Sequence, residues 1–129
     1  MESFHFGEHS EARLQGVHPD LVKVIRLALV LSPVDFAVTE GLRSVAREKE
    51  MVAEGHSETM HSRHLTGHAV DVVAYASGQV SWTWSLYAAI AQAVKQASGQ
   101  LAIPVEWGGD WHTLKDGAHF QLPFAAYPA

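Results

Sequence analysis

The stretch Ser62-Arg63-His64-Leu65-Thr66-Gly67-His68-Ala69-Val70-Asp71-Val72-Val73-Ala74 changes character at its middle. Its first half is polar, has no apolar period, and continues a loop that begins near His56. From Ala69 the chain becomes apolar and β-branched, which predicts a strand over 69–74. His64 and His68 stand four apart and could share a helix face, but Gly67 and the valines beyond it favour the strand. Asp71 lies among those valines. A carboxylate buried there unpaired is costly, and either a basic side chain or a metal ion would offset that cost.

Outward from this strand the pattern is α+β. Residues 19–31 predict a helix: Pro19 suits a first helical position, and Leu21, Val24, Ile25 and Ala28 keep helical spacing. Ser32-Pro33 ends it. Val34 to Thr39 predicts a strand. Ser44 can cap a helix running to about Glu54, with Gly55 as its stop. After the 69–74 strand, Ser77-Gly78 is a turn. Residues 84–97 form an Ala-rich helix closed by Ser98-Gly99, against which Trp82 and Trp84 are expected to pack. Pro104–Trp107 and His119–Leu122 predict two short strands around a turn-rich loop. The expected fold is a small antiparallel sheet with helices packed against it. The 129 residues show no repeat or linker, so one domain over 1–129 is expected.

Composition excludes several functions. There is no cysteine, so disulfides, thiolate metal sites and a cysteine nucleophile are ruled out. Nine Lys and Arg against fourteen Asp and Glu give a formal charge of −5, with no basic face for nucleic acid. The opening Met-Glu-Ser-Phe-His-Phe-Gly has neither a basic nor an apolar segment of a secretory signal. The longest apolar stretch, Leu27 to Leu31, is too short for a membrane span. The nine histidines are the anomaly, a large supply of imidazole nitrogen.

Three local clusters carry the chemistry: 62–71, Glu106-Trp107-Gly108-Gly109-Asp110-Trp111, and Asp116-Gly117-Ala118-His119-Phe120. Zinc accepts imidazole nitrogen and carboxylate oxygen, and a catalytic site keeps a fourth position open. His64 before a strand, Asp71 within it and His119 on a later strand meet that need. Gly67 allows a tight turn between the first two. Asp116, three residues before His119, can stand beside the metal and take a proton from the attacking water. A turn role in Asp-Gly is its alternative. Arg43, just after a strand, is the candidate for steadying an oxyanion, or else an ordinary partner of Glu40. Ser62, Glu106, Trp107, His68 and His112 are candidates for supporting the ligands or lining the cleft.

The strings Ser-x-His-x-x-Gly-x-Ala-x-Asp at 62–71 and Asp-x-x-His-Phe at 116–120 resemble the zinc peptidases of the D-Ala-D-Ala carboxypeptidase and dipeptidase superfamily. Trp-Gly-Gly-Asp-Trp at 107–111 and Thr39-Glu40-Gly41-Leu42-Arg43-Ser44 narrow the resemblance to bacteriophage endolysins that are L-alanyl-D-glutamate peptidases. So does the opening, with Phe6-Gly7, Ser10-Glu11, Pro19-Asp20-Leu21 and Leu31-Ser32-Pro33.

The resemblance implies a zinc endopeptidase that cuts the L-Ala–D-Glu bond of peptidoglycan stem peptides and so lyses the cell wall. It puts Zn2+ on His64, Asp71 and His119, acid/base work on Asp116 and transition-state stabilisation on Arg43. It also implies a monomer with no stable membrane association, kept in the host cytoplasm until a holin gives access to the wall in the periplasm. Two rivals stand beside it. One is a D-Ala-D-Ala dipeptidase or D,D-carboxypeptidase of the same superfamily; the other is a non-catalytic zinc-binding wall module.

Overall fold

A computed structural model describes residues 4, 6–55, 63–112 and 115–128. The elements run α1 (Glu8–Arg13), α2 (Pro19–Leu31), β1 (Phe36–Glu40), α3 (Val45–Ala53), a 3-10 turn (Arg63–Thr66), β2 (Ala69–Ala76), β3 (Gln79–Ser81), α4 (Trp84–Leu101), β4 (Glu106–Trp107), a second 3-10 turn (Gly108–Asp110) and β5 (His119–Gln121). All strand pairings are antiparallel, in the order β1-β2-β5-β4, and β3 pairs with the far end of β2.

The sheet has two chemically distinct faces because side chains alternate along a strand. Phe36, Val38, Val70, Val72, Ala74 and Phe120 enter one buried cluster with Leu21, Val24, Ile25 and Ala28 of α2 and Ile90, Ala91, Val94 and Ala97 of α4. Each large apolar side chain so buried stabilises the fold by about 1.5–3 kcal/mol. The other face carries Asp71 and, opposite it in register, His119 on β5 and Glu40 on β1. Glu40 reaches that register only because β1 slips between Val38 and Glu40. The extra residue of such a bulge re-aims the strand end.

The open edge of β1 is covered by α1. Ser10 Oγ accepts from Val38 N at 3.0 Å, and an Arg13 Nη donates to Val38 O at 3.3 Å. Two side chains thus stand in for a neighbouring strand and cap an edge that would otherwise invite pairing.

The expected elements are present, with shifted ends. β1 begins at Phe36 rather than Val34. α4 continues through Ser98-Gly99 to Leu101 and ends with Ala102 in the left-handed region at φ +57°. Ser98 does not break the helix because its hydroxyl donates to Ile103 O and its own carbonyl accepts from Ile103 N. Ser77 and Gly78, at φ +53° and +77°, form the turn that pairs β3 with β2. The paired twist of such a turn explains why so short a strand forms.

Trp82 packs only by one face. It stacks on Tyr87 of α4 at 6.1 Å and stays 72% exposed. Trp84 is 50% exposed and lies against Trp107 at 5.5 Å.

Candidate metal centre

His64, Asp71 and His119 converge. One ligand atom from each lies within 4.8 Å of the others. Asp71 sits between the two rings: its Oδ2 is 3.3 Å from His64 Nε2 and its Oδ1 is 3.0 Å from His119 Nδ1. His64 and His119 are buried, with ring centroids 5.1 Å apart.

Local structure explains each placement. His64 lies on the 3-10 turn, where its backbone carbonyl accepts from Arg43 N at 2.9 Å. Gly67, at φ +75°, then reverses the chain into β2. A Cβ there would meet Gly16 O at 2.4 Å, so both conformation and space demand glycine. His119 opens β5 directly opposite Asp71.

The donor set fits a divalent cation. His64 Nδ1 is 2.8 Å from Gly41 O. A carbonyl only accepts, so Nδ1 carries a proton, and in the neutral ring Nε2 turns a lone pair toward the Asp71 carboxylate. Two acceptors facing each other across 3.3 Å call for a positive charge between them. Two imidazoles and a carboxylate, without sulfur, match the nitrogen and oxygen ligands of zinc and similar ions.

The titration behaviour follows from the same packing. Burial would raise the Asp71 carboxyl, but hydrogen bonds and charge from His119 and His64 hold it well below the usual carboxylate range. Burial would lower His119, yet the bond to Asp71 and its charge raise it.

Arg43 is buried at the edge of this cluster. It is fixed by Glu40 through two bonds of 2.6 and 2.7 Å and by the buried Glu48 at 2.5 Å. Desolvation opposes its charge, but these two carboxylates raise its pKa and keep it protonated. Nη2 still lies 3.9 Å from Asp71 Oδ2. A guanidinium has five N–H groups, and three of them serve Glu40 and Glu48. Nη1 and Nη2 therefore each retain one donor.

Asp116 lies on the loop that leads into β5. His119 N donates to its carbonyl at 3.2 Å, and its Oδ1 accepts from Ala118 N at 3.1 Å, so the turn role and the approach to the site coexist. Gly108 makes this possible. Its carbonyl accepts from Asp116 N, and a Cβ on it would meet Asp116 O at 2.3 Å. Desolvation, then the charge of Asp71, raise the Asp116 carboxyl; His119 and His64 act on it in the opposite sense. All three side chains of the cluster therefore sit within electrostatic reach of Asp116.

The remaining expected residues divide. Trp107 donates its Nε1 to Gly117 O at 2.8 Å and so braces the Asp116 loop. Glu106 accepts from Gln121 at 3.2 Å. His68 is set apart from the ligands: its ring packs near His18 at 5.5 Å, and its Nδ1 faces Thr66 Oγ1. His112 is exposed. Ser62 lies outside the described residues, as do His5, His56 and His61.

Sequence reasoning did not single out Glu48, Gln121 or the carbonyl of Gly41. Glu48 is the one buried residue of α3, a helix whose pattern is otherwise that of a solvated surface. A period of hydrophobic residues cannot reveal a buried charge. Gln121 was findable, since it stands two residues from His119 on one face of the strand.

Known proteins match this chain over most of its length. The family described as phage L-alanyl-D-glutamate peptidase matches residues 2–121. The L-alanyl-D-glutamate peptidase of Escherichia phage T5 is 39% identical over 118 residues, covering 88% of this chain and 86% of that protein. The peptidase of the same name from Listeria phage A118 is 30% identical over 94 residues, 73% of this chain but 32% of that longer protein. The crystal structure of Serratia marcescens L-Ala D-Glu endopeptidase ChiX superimposes with a TM-score of 0.93 at 62% identity, covering 99% of this chain and 96% of that one. A family match over residues 2–121 and a 39% identical relative covered over 86% of its length show that the chain belongs to the phage L-alanyl-D-glutamate peptidase family.

Proposed function

We propose that this peptidase uses a zinc ion held by His64, Asp71 and His119 to hydrolyse the L-Ala–D-Glu bond of peptidoglycan stem peptides. The observation that carries the reading is the facing of two imidazole nitrogens on one carboxylate, with ligand atoms within 4.8 Å. Zinc, when bound, supplies a Lewis acid that polarises the peptide carbonyl and lowers the pKa of water toward ~7.

The chain's own residues supply the rest. Asp116 takes the proton of the attacking water and returns it to the nitrogen of D-Glu as that amine leaves. A carboxyl raised by burial and by a neighbouring carboxylate is a stronger base than free aspartate. Arg43 turns its two remaining N–H groups toward the oxygen that gains charge in the tetrahedral intermediate. Its ion pairs hold the guanidinium rigid, so no reorganisation is needed as charge develops. Trp107 and the exposed His112 are the residues this reading assigns to contact with the stem peptide.

The same reading takes residues 1–129 as one catalytic domain acting as a monomer. It is held in the host cytoplasm until a holin opens the membrane, and it then degrades the wall in the periplasm. Among the described residues no helix is long and apolar enough to cross a membrane.

The test is digestion of purified peptidoglycan with product identification by mass spectrometry. New N-terminal D-Glu is expected. Release of free D-Ala or D-Ala-D-Ala would assign the chain instead to a carboxypeptidase or dipeptidase activity, and absence of any product would leave a zinc-binding module.

A further inference from the structure

On the polar face of the sheet a short chain of hydrogen bonds runs away from the ligand cluster. His119 Nε2 is 2.8 Å from Gln121 Oε1, and Gln121 Nε2 donates to Glu106 Oε2 at 3.2 Å. The strand geometry builds it. His119 and Gln121 are two apart on β5 and share a face, while Gln121 and Glu106 are register partners across β5 and β4. Gln121 is buried, and His119 Nε2 lies in the same buried pocket.

The direction of the amide is fixed by chemistry. A carboxylate only accepts, so Glu106 must face the amide NH2 of Gln121. The carbonyl oxygen of Gln121 must then face His119. That oxygen also only accepts, so His119 Nε2 must carry a proton. In the neutral ring, Nδ1 is left with the lone pair, and Nδ1 is the atom that faces Asp71 at 3.0 Å.

We infer that Gln121 is a positioning residue that holds His119 in the Nε2–H tautomer and so presents Nδ1 to the metal, with Glu106 fixing the orientation of the Gln121 amide. The inference rests on the reading of His119 as a metal ligand. His64 has the mirror arrangement, with Nδ1–H tied to Gly41 O and Nε2 turned inward. The two histidine ligands therefore use opposite ring nitrogens, each selected by a neutral oxygen behind it. Partners of this kind orient metal-binding imidazoles and raise their basicity, and their loss typically weakens metal affinity about 10–100-fold.

The test combines zinc affinity with a direct view of the ring. In the zinc-loaded wild-type protein, 15N-resolved imidazole spectra should show His119 protonated at Nε2 and His64 protonated at Nδ1. Gln121→Met keeps the side-chain length and removes both hydrogen bonds. By competition with a fluorescent chelator it should bind zinc about 10–100-fold more weakly than wild type, with the metal-free protein melting as a single transition. The paired exchange Gln121→Glu with Glu106→Gln keeps an acceptor facing His119 and reverses only the bond between the two strands, so it should recover most of the lost affinity. Gln121→Glu alone sets two carboxylates against each other and should recover less.

Three results would overturn the inference. These are a wild-type His119 protonated at Nδ1, zinc affinity unchanged in Gln121→Met, and a paired exchange no better than the single variant. Failure of the wild-type chain to bind zinc at all would instead sink the metal reading, and this inference with it.

Discussion

Among the described residues two pairs of histidines lie side by side, in contrasting surroundings. In His64 and His119 the ring centroids are 5.1 Å apart; in His18 and His68 they are 5.5 Å apart. Distance alone does not separate them. The first pair is buried with a carboxylate between the rings, and Asp71 raises the proton affinity of His119. The second pair is half-buried beside Tyr127, and among the described residues no carboxylate pairs with either ring. There burial, the charge of Arg63 and the charge of His18 all lower His68.

The Nδ1 atoms of the second pair serve the backbone fold: His18 caps α2 by accepting from Asp20 N, and His68 engages Thr66. His119 in the first pair is raised and His68 in the second is lowered. What sets the two pairs apart is the carboxylate between the rings of the first, not the proximity of the rings.

The largest effect should come from removing that difference. Asp71→Asn keeps the shape and takes away the charge that both rings face. Zinc binding should fall below detection in a chelator competition, and hydrolysis of peptidoglycan should vanish with it.

Asp116→Asn should separate chemistry from metal binding. Zinc content by metal analysis should stay at one ion per chain, while hydrolysis falls by about 10²–10⁴-fold. A variant that digests walls as well as the parent would remove Asp116 from the mechanism.

Arg43→Lys keeps the charge but loses the planar fork that engages Glu40 and Glu48. Hydrolysis should fall about 10²-fold with zinc retained. The melting temperature should also drop, because Glu48 is fully buried and loses a partner.

The pH response sharpens the contrast further. In the metal-free protein Asp71 is lowered from 3.8, so its contribution to stability is present above about pH 4 and is lost as pH falls. His119 is raised from 6.5, so its contribution is complete below that value and is lost as pH rises through the folded pKa. The pair therefore stabilises the metal-free fold most on the acid side of neutrality. Zinc needs the unprotonated nitrogen, so the increase in melting temperature on adding zinc should grow between pH 6 and pH 8. A zinc effect that is flat over that range would contradict the ion pair.

The smallest effect should come from the second pair. His68→Ala should leave zinc affinity and hydrolysis within about 3-fold of wild type, since its ring contacts His18, Tyr127 and Thr66 rather than the His64–Asp71–His119 cluster.

Much of this was legible in the sequence, for identifiable reasons. The α2 boundaries follow from Pro19 at one end and Ser32-Pro33 at the other, and the helix spans Pro19–Leu31 as those signals dictate. Ser44 caps α3 by accepting from Arg47 N. The convergence of His64, Asp71 and His119 was readable because a histidine, a tight glycine turn and a carboxylate inside a valine strand form an unusual local pattern. The short β3 was not, since three residues carry too little periodicity. The Arg43–Glu40 pair was open to view as one alternative and is formed, but the second anchor was not, for it is a buried glutamate, Glu48, in an otherwise polar helix. Such features are fixed by packing between elements rather than by neighbours in the chain.

The most direct test is anomalous scattering at the zinc edge from crystals of the zinc-loaded protein. The account predicts one strong peak, about 2.0–2.2 Å from His64 Nε2, an Asp71 oxygen and His119 Nδ1. A peak at His18 and His68 instead, or no peak between the two buried rings, would contradict it.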